Sequence, residues 1–317
     1  MVCRVLLVLS GCEKLRKDRL NVLAQCATLS TTSTHIIATM YQTYFNGQWS
    51  EGNTPLFGAM DNAVWLASSV FDGARSIAGK TPDLRLHLQR VINSSISLGL
   101  VCPYTVDEME SLCRVGIALF PANAELYIRP LVFGTDGLLI SLPEKSAFAL
   151  TLFDAALPGM AGFSACLSTL LRPDQRFAPT DAKASSLYAN STRALREAKE
   201  RSCDNAVMLD LHGNVSEFAT ANLFIVTPEG EVATPVPNGT FLNGITRKRV
   251  IALLAGAGIA VQERSIKPEE LLSAQEIFNT GNYGKVMPCV RYEGRALPVG
   301  PIASKARALY MEFMANS

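Results

Sequence analysis

Residues 181–225 read DAKASSLYANSTRALREAKERSCDNAVMLDLHGNVSEFATANLFI, and they combine a lysine among small residues with an acid further along. We expect a helix over about 187–201, a strand over 206–210, and then a second strand that carries Glu217. The alanines and serines beside Lys183 leave room for a bulky group. Partial desolvation lowers the pKa of a lysine and makes its amine a usable nucleophile. From this segment alone, a solvated lysine that precedes a helix is the favoured interpretation.

The residues around Lys183 and Glu217 resemble the core of the class IV (fold-type IV) aminotransferases, which use pyridoxal phosphate (PLP). In that family the lysine of an A-K-x-x-x-x-Y stretch forms the Schiff base with PLP, and here Lys183 and Tyr188 match the stretch. The glutamate of a G-x-x-x-E-x-x-x-x-N-L-F stretch binds the pyridine nitrogen, and residues 213–224 match it. The resemblance runs from about Tyr44 to the C-terminus. It implies that PLP is the cofactor, that Lys183 is catalytic, and that Tyr188 and Glu217 bind PLP.

The composition is that of a globular protein with a large core, since 48% of the 317 residues are hydrophobic and 18% are charged. The net charge of +1 gives no sign of a nucleic-acid partner or a membrane surface. Three histidines, and eight cysteines without a C-x-x-C pair, indicate neither a metal site nor a disulfide framework. We therefore expect reduced thiols, no metal and a cytoplasmic location.

Residues 1–39 do not resemble the rest of the chain. An apolar run at residues 5–9 precedes a sequence like a bacterial lipoprotein cleavage box, but it is shorter than the about 7–15 residues of a signal core. A transit peptide is a second interpretation, although Glu13 and Asp18 count against it. We expect this leader to be disordered or an artefact of start-codon choice, with Met40 as the true start.

The pattern of helices and strands predicts an α+β fold with two domains. We assign residues 40–154 to a small N-terminal domain, 155–162 to an interdomain linker, and 163–317 to a large PLP-binding domain. The resemblance implies a small α/β sandwich and a larger, β-barrel-like domain with flanking helices. In the first domain we expect an Asn46-Gly47 hairpin, helices at 61–69, 84–98 and 106–120, and strands at 70–77, 125–133 and 148–153. In the second we expect hairpins at 206–218 and 222–234, a helix from 243–247 to about 256, strands at 261–266, 276–280 and 285–292, and a helix at 302–314.

A phosphate site is predicted where Ile245 and Thr246 begin a helix, because free N–H groups there favour anions. Taken alone, this feature is better explained as an ordinary helix cap. The resemblance implies more, since residues 242–247 match the L-x-G-I-T-R segment that binds phosphate in the family. It also places Arg90 on the same phosphate, where a guanidinium can take two oxygens at once. Asn282 occupies a second phosphate turn, at which many members have threonine.

The substrate site is predicted from Tyr127-Ile128-Arg129-Pro130, a motif that resembles the branched-chain aminotransferase subgroup. Tyr127 and Arg129 lie two residues apart in a strand and therefore point to one face, where they can meet a carboxylate. A surface cross-strand pair is the alternative. Phe71 and Arg75 match further pocket positions of the family. Tyr283 stands where many members of the family have alanine, and Trp65-Leu66-Ala67 stands where many branched-chain enzymes have His-Tyr-Gly. We therefore expect the wall of the substrate pocket to differ from that of those enzymes.

We predict transamination of a branched-chain L-amino acid (leucine, isoleucine or valine) with 2-oxoglutarate, in amino-acid biosynthesis. The resemblance further implies a homodimer or a higher homo-oligomer with shared active sites. Within the same fold, an (R)-selective amine transaminase or a D-amino-acid transaminase is an alternative, as is an aminodeoxychorismate-type PLP lyase. A binding protein without enzymatic activity is the alternative from another class.

Overall fold

The computed structural model describes residues 40–317, so the prediction about the leader at 1–39 lies outside the described residues. Two β-sheets with helices against them make up this part of the chain, which agrees with the predicted α+β class. The first sheet uses residues 41–154 and the second uses residues 163–296. No helix between residues 40 and 317 is long and apolar enough to cross a bilayer.

The first sheet has six antiparallel strands in the order β2-β1-β6-β5-β3, with β4 also paired to β5. The predicted hairpin is present, and its turn residues Asn46 and Gly47 have φ values of 49° and 80°, which an Asn-Gly turn tolerates. The strands are β1 (Tyr41–Phe45), β2 (Gln48–Glu51), β3 (Ser69–Phe71), β4 (Ala74–Ile77), β5 (Glu125–Gly134) and β6 (Ser146–Asp154).

Two expectations for this first part were wrong. The strand predicted over 70–77 is interrupted between β3 and β4, because Asp72 turns its side chain into a buried ionic cluster. The helix predicted over 61–69 is a single turn, α1 (Asn62–Trp65). Ala67 follows it with a φ of 52°, a left-handed conformation that a helix cannot contain.

Helices α2 (Leu84–Ser97) and α3 (Val106–Ala118) cover one face of the first sheet. Their buried apolar residues, including Leu88 and Met109, pack with Ile128 of β5 in one core. Thr105 caps α3 through a reciprocal capping box with Glu108, as the acids in its first turn suggested.

The second sheet has nine strands in the order β12-β11-β10-β13-β14-β7-β8-β9, with β15 paired to β14. It is mixed, since β7 runs parallel to both β8 and β14, and β11 runs parallel to β12. It curls so that β9 approaches β10. The strands are β7 (Phe163–Leu171), β8 (Asn205–Leu209), β9 (Val215–Phe218), β10 (Asn222–Val226), β11 (Val232–Pro235), β12 (Val261–Arg264), β13 (Glu276–Gly281), β14 (Lys285–Tyr292) and β15 (Arg295–Ala296).

Strand β7 and the short helix α6 were not expected from the sequence. Two serines and a threonine among the nine β7 residues weaken its apolar pattern, yet its pairing on both sides makes it a central strand. The other helices of this second part match their expected positions within two residues. The helices of this second part are α4 (Tyr188–Glu200), α5 (Ile245–Gly256), α6 (Pro268–Ser273) and α7 (Pro301–Ala315). Helices α5 and α7 pack together against β13 and β14.

Candidate active site

A cavity of about 920 Å³ lies between the two sheets. Its wall takes residues from β3, β5 and α2 on one side and from β9, α5 and the β13–β14 turn on the other. Eleven of the twelve site residues predicted from the sequence line it, namely Phe71, Arg90, Tyr127, Arg129, Lys183, Tyr188, Glu217, Ile245, Thr246, Asn282 and Tyr283. Residues far apart in the sequence therefore meet in one place.

The backbone of Lys183 is fixed against the first sheet. Its N–H donates to Ser94 Oγ at 3.0 Å, and its carbonyl accepts from the N–H of Phe71 at 3.1 Å. Ala182 and Ala184, on either side, are buried in the core of the first sheet. The lysine segment thus packs with the first sheet, although it lies beyond β7 in the sequence.

The amine of Lys183 reaches into the cavity, where Nζ donates to the Tyr188 hydroxyl at 2.5 Å. Nζ also lies 5.0 Å from the centre of the Phe71 ring. The expected lowering of the lysine pKa was wrong. Burial does act against the charged form, but the charges of Tyr188 and Asp72 outweigh it and raise the pKa of Lys183.

Glu217 is buried in the cavity wall with a partner on each oxygen. Oε1 lies 3.3 Å from Arg172 Nη2, and Oε2 accepts from Asn222 Nδ2 at 3.1 Å. Burial raises the pKa of Glu217 to about 7, even though Arg172 and Lys183 favour its charged form. A carboxyl group in this state can hold or share a proton with a basic atom in the cavity.

Helix α5 points its N-terminus at the cavity. Gly244 is the N-cap, and no side chain caps the first turn, so the N–H groups of Ile245 and Thr246 are open to an anion. Gly244 donates to Asn222 Oδ1 at 3.2 Å, and a Cβ at this position would collide with that oxygen. Asn222 therefore ties the start of α5 to Glu217.

Arg90 lines the cavity, but its geometry differs from the expected one. Its Nε and Nη2 donate to the two oxygens of Asp72 at 2.6 and 2.8 Å. The bidentate contact of the guanidinium is therefore made with a carboxylate of the protein. Asp72 also accepts from His87 Nδ1 at 2.7 Å and from the N–H of Gly73 at 2.6 Å. Burial acts against the Asp72 carboxylate, yet Arg90 and His87 hold its pKa well below the usual range. One edge of Arg90 is left for a ligand.

At the other end of the cavity, Arg129 lies over the rings of Tyr127 and Phe153, with 5.6 and 5.1 Å to their centres. Arg129 is solvent-exposed, and none of the ion pairs between described residues includes it. Tyr127 is packed against Gly73, where a Cβ would collide with its hydroxyl. Tyr127 and Arg129 thus do face one pocket.

Arg75 does not line the cavity, which corrects its assignment to the substrate site. It is fully buried behind Tyr127 and Tyr283, 5.6 and 5.4 Å from their ring centres. Its guanidinium donates to the carbonyls of Ala155 and Tyr283. Arg75 therefore supports the β13–β14 turn from behind.

Three buried polar atoms of the lining have no hydrogen-bond partner among residues 40–317. They are His87 Nε2, Thr280 Oγ1 and Asn282 Nδ2. Buried polar groups are normally paired, so these atoms point to a ligand with acceptor or donor atoms. The ionised side chains of the lining are four cations and two anions, which favours a negatively charged ligand.

Several residues of this site were not singled out from the sequence: Asp72, His87, Arg172, Asn222 and Thr280. Asn222 belongs to the N-L-F part of the family motif, and Asp72 is an acid within an apolar strand pattern. Both residues could therefore have been identified as site residues from the sequence. No sequence pattern pointed to Arg172, because it follows strand β7, which was not predicted. In the described residues, no three His, Cys, Asp or Glu side chains are grouped so as to hold a metal ion.

Comparison with known proteins gives the family. Residues 69–292 match the family model described as amino-transferase class IV. The chain is 30% identical over 250 residues to a probable branched-chain-amino-acid aminotransferase of Rickettsia bellii, across 76% of this chain and 84% of that protein. It is also 30% identical to the branched-chain-amino-acid aminotransferase of Pseudomonas aeruginosa, across 85% of this chain and 90% of that protein.

Solved structures agree with this result. An aminotransferase of Brucella abortus bound to the cofactor PLP has a TM-score of 0.85 at 43% identity, across 87% of this chain and 99% of that chain. The branched-chain amino acid aminotransferase of Escherichia coli has a TM-score of 0.78 at 27% identity, across 86% of this chain and 93% of that chain. The chain belongs to the class IV aminotransferases. It is therefore an enzyme that transfers amino groups, with the fold-type IV architecture.

Proposed function

We propose that this enzyme transfers the amino group of leucine, isoleucine or valine to 2-oxoglutarate, with PLP as its cofactor. The observation that carries the proposal is the meeting of Lys183, Tyr188 and Glu217 with Tyr127 and Arg129 in one cavity. The names of the relatives from Rickettsia bellii and Pseudomonas aeruginosa support the substrate class.

The residues of the cavity fit PLP. The cofactor carries an aldehyde, a ring nitrogen and a phosphate, and the cavity offers an amine, a carboxyl and a positively charged end for them. Lys183 would hold the aldehyde carbon, and Glu217 would pair with the ring nitrogen. The uncapped start of α5 and the free edge of Arg90 would hold the phosphate. The unpartnered Asn282 Nδ2 and Thr280 Oγ1 supply further donors in the same wall.

When bound, PLP supplies a carbon that links to an amine and a ring that withdraws electrons from the substrate carbon. Lys183 Nζ, once free, would carry the substrate's Cα proton, acting first as base and then as acid. The Tyr188 hydroxyl accepts from Nζ at 2.5 Å and so keeps the amine directed into the cavity. Glu217 would hold a proton at the ring nitrogen, since its carboxylate is supported by Arg172 and Asn222.

The substrate end of the cavity suits both reactants. Its lining includes the apolar side chains of Phe57, Phe71 and Leu131, against which a branched aliphatic side chain can pack. Arg129 is a cation at the same end, suited to a substrate carboxylate. An amino acid with an apolar side chain and a dicarboxylic oxo acid can therefore alternate in one site.

A donor panel tests the function directly. Purified full-length protein is incubated with 2-oxoglutarate and single L-amino acids, D-amino acids or (R)-amines, and glutamate formation is measured. We expect the fastest formation with L-leucine, L-isoleucine or L-valine. Turnover confined to D-amino acids or (R)-amines would reject the proposed substrate class.

A lysine variant tests the cofactor link. Lys183→Ala should abolish glutamate formation and leave no PLP that borohydride fixes to the protein. The matched control is Lys199→Ala, which removes an exposed lysine at the end of α4 and should behave like the wild type. Borohydride-fixed PLP on any other lysine would refute the assignment of Lys183.

We also propose that a second copy of the chain covers an exposed apolar surface beside the cavity. This apolar patch consists of Met60, Val64, Trp65, Leu66, Leu138, Leu139 and Ile140. Four of its residues are at least three-quarters exposed, at 80% for Met60 and at 75%, 79% and 78% for residues 138–140. Asn62 joins its two halves, since Nδ2 donates to the Gly137 carbonyl at 2.7 Å and Oδ1 accepts from Ser141 at 2.5 Å.

The patch supports a homodimer with shared active sites for two reasons. Contiguous exposed apolar surfaces of this kind usually mark an interface. Phe57, in the segment that leads to Met60, also lines the cavity, so a partner on the patch reaches the site. Leu139→Glu should shift the protein to a smaller species in sedimentation analysis and lower its activity. Val115→Glu, on an exposed position of α3, is the matched control and should change neither. An unchanged mass for Leu139→Glu would reject this interface.

We infer a cytoplasmic location from the thiols. All five cysteines among the described residues are free, although three of them are buried. Free thiols are typical of reducing compartments. Fractionation of cells that produce the protein, followed by immunoblotting, checks this expectation, and recovery in a membrane or secreted fraction would contradict it.

A further inference from the structure

Lys285 is a buried lysine next to the cavity whose role the proposed reaction does not explain. It is the first residue of β14 and has no solvent exposure. Its Nζ donates to Asn282 Oδ1 at 2.6 Å and lies 5.2 Å from the centre of the Tyr310 ring. No carboxylate forms an ion pair with it among residues 40–317.

The surroundings of Lys285 disfavour its charge. Burial lowers the pKa of Lys285 to about 7, and the positive charges of Arg75 and Arg307 act in the same direction, against a smaller opposite effect of Asp83. A methionine could fill such a place without this cost. The lysine is therefore a poor choice for packing alone, and its hydrogen bond to Asn282 is the interaction that a hydrophobic residue could not make.

That hydrogen bond fixes the orientation of the Asn282 side chain. A protonated lysine amine can only donate, so it favours the orientation seen here, in which the amide oxygen faces Nζ and the NH₂ group faces away from it. Asn282 lines the cavity, and its Nδ2 is buried without a partner within the described part of the chain. The donor is thus held ready for an acceptor that the protein itself does not provide.

The place of this donor indicates what it binds. Strand β13, which leads into the Asn282 turn, packs against α5, whose uncapped N-terminus faces the same cavity. Thr280 Oγ1 is a further unpartnered donor in the same wall, and Arg90 is a cation there. Donors that converge beside a positive helix end suit the oxygens of a phosphate.

We propose that Lys285 is a positioning residue for phosphate binding, holding Asn282 so that Nδ2 donates to a phosphate oxygen of the ligand. The proposal deepens the proposed function and rests on it for the identity of the ligand. Lys285 itself does not touch the phosphate, because Asn282 stands between them. Lys285 acts by disfavouring the flipped orientation of the Asn282 amide, in which Oδ1 instead of Nδ2 would face the anion.

The test compares binding of three probes to full-length protein after exhaustive dialysis: PLP, pyridoxal and inorganic phosphate. We expect Lys285→Met to weaken PLP and phosphate binding about three- to tenfold, the range of one hydrogen bond. Pyridoxal has no phosphate, so its binding should not change. Combined with Asn282→Ala, Lys285→Met should add no further loss, since both act through one donor.

The control variant is Lys267→Met. Lys267 also donates to an asparagine, Asn214 Oδ1 at 2.7 Å, but it does so at an exposed site that contributes nothing to the cavity lining. It should bind all three probes like the wild type. Asn282→Asp is a second variant that keeps a partner for Lys285 while replacing Nδ2 by an oxygen, and it should also lose phosphate affinity.

The outcomes separate this inference from the proposed function. Equal phosphate affinity of the wild type and Lys285→Met, or of the wild type and Asn282→Asp, would overturn the inference whatever PLP does. Equal losses for PLP and pyridoxal would also overturn it, because they indicate a general loss of structure. A wild type that binds inorganic phosphate but neither PLP nor pyridoxal would refute the proposed cofactor, while the phosphate comparison between variants would still decide the role of Lys285.

Discussion

Arg172 Nη2 lies 3.3 Å from Oε1 of Glu217, and both side chains are buried in the cavity wall. The arginine is itself held in place, because Nε donates to the Thr240 carbonyl at 3.1 Å and Nη1 donates to Ser191 at 3.3 Å. Arg172 therefore presents a fixed positive charge to Glu217. Since burial raises the pKa of Glu217 to about 7, this charge decides how much of the carboxyl group is ionised near neutral pH.

Replacement of Arg172 should move the acid limb of the activity profile. In Arg172→Met the Glu217 carboxylate loses its cation, so its pKa rises above about 7 and the charged form is present only at higher pH. We expect the acid limb of kcat/KM to shift upward by about one pH unit, with a stability loss of about 3–5 kcal/mol for a broken buried pair.

The measurement is kcat/KM from pH 5 to 9, with urea unfolding for stability. Arg176→Met is the matched control, because Arg176 pairs with Asp174 at an exposed site outside the cavity lining. An acid limb that stays in place in Arg172→Met would show that Arg172 does not set the charge of Glu217.

Replacement of Glu217 by glutamine should slow the reaction while the cofactor stays bound. Glu217→Gln keeps the shape and one hydrogen bond but removes the charge that would hold a proton at the ring nitrogen. A charge-assisted hydrogen bond contributes about 1.5–3 kcal/mol, so we expect a rate loss of about one to two orders of magnitude. Single-turnover conversion with L-leucine, with PLP content measured by absorbance, checks this. Full cofactor content together with a wild-type rate would mean that Glu217 is not the ring-nitrogen partner.

Gly73 should be sensitive to one added methyl group. A Cβ at Gly73 would collide with the Tyr127 hydroxyl, so Gly73→Ala must displace Tyr127 from the substrate end of the cavity. We expect KM to rise several-fold, with a stability loss of about 1–3 kcal/mol from overpacking. Steady-state kinetics and thermal unfolding measure both effects.

The control for this change is Gly159→Ala, since a Cβ at Gly159 meets no atom within 4 Å among the described residues. It should leave KM and stability close to the wild type. A Gly73→Ala enzyme with unchanged KM would show that the position of Tyr127 does not matter for substrate binding.

Lys285 should make the stability of the cofactor-free protein depend on pH. Its pKa is lowered to about 7 in the folded state, whereas an unfolded lysine titrates near about 10.4. Between these values the unfolded chain binds more protons, so the folded state gains stability as the pH rises. Lys285→Met removes this contribution, and its stability advantage over the wild type should therefore shrink from pH 7 to pH 9.

Urea unfolding at pH 7, 8 and 9 measures the difference, which we expect to fall by up to about 1.4 kcal/mol per pH unit. The charged groups around Lys285, namely Arg75, Arg307 and Asp83, are unchanged in the variant. Lys267→Met serves again as the exposed control. A constant difference between Lys285→Met and the wild type across this range would contradict the lowered pKa.

The sequence by itself determined the α+β class, most helix and strand positions, the family and eleven of the residues that line the cavity. These features are local, because periodicity, turn residues and spaced motifs are written in neighbouring residues. Lys183, Tyr188 and Glu217 were identified by their resemblance to the spaced motifs of the family, and all three line one cavity. The predicted division into two domains at 154–163 stays a prediction, although the lysine segment packs with the first sheet.

Only the tertiary structure decided the charge state and the partners of these residues. Burial acts against the charged form of Lys183, but electrostatic attraction to Tyr188 and Asp72 outweighs it and raises the pKa, and the position of Asp72 depends on the packing of β3 against α2. Arg172 meets Glu217 because β7 pairs with β8, a long-range contact without a local pattern. Arg75 lies behind the cavity because Tyr127 and Tyr283, which are distant in the sequence, both pack against it. Electrostatic energies depend on distance and burial, and neither is fixed until distant segments have packed.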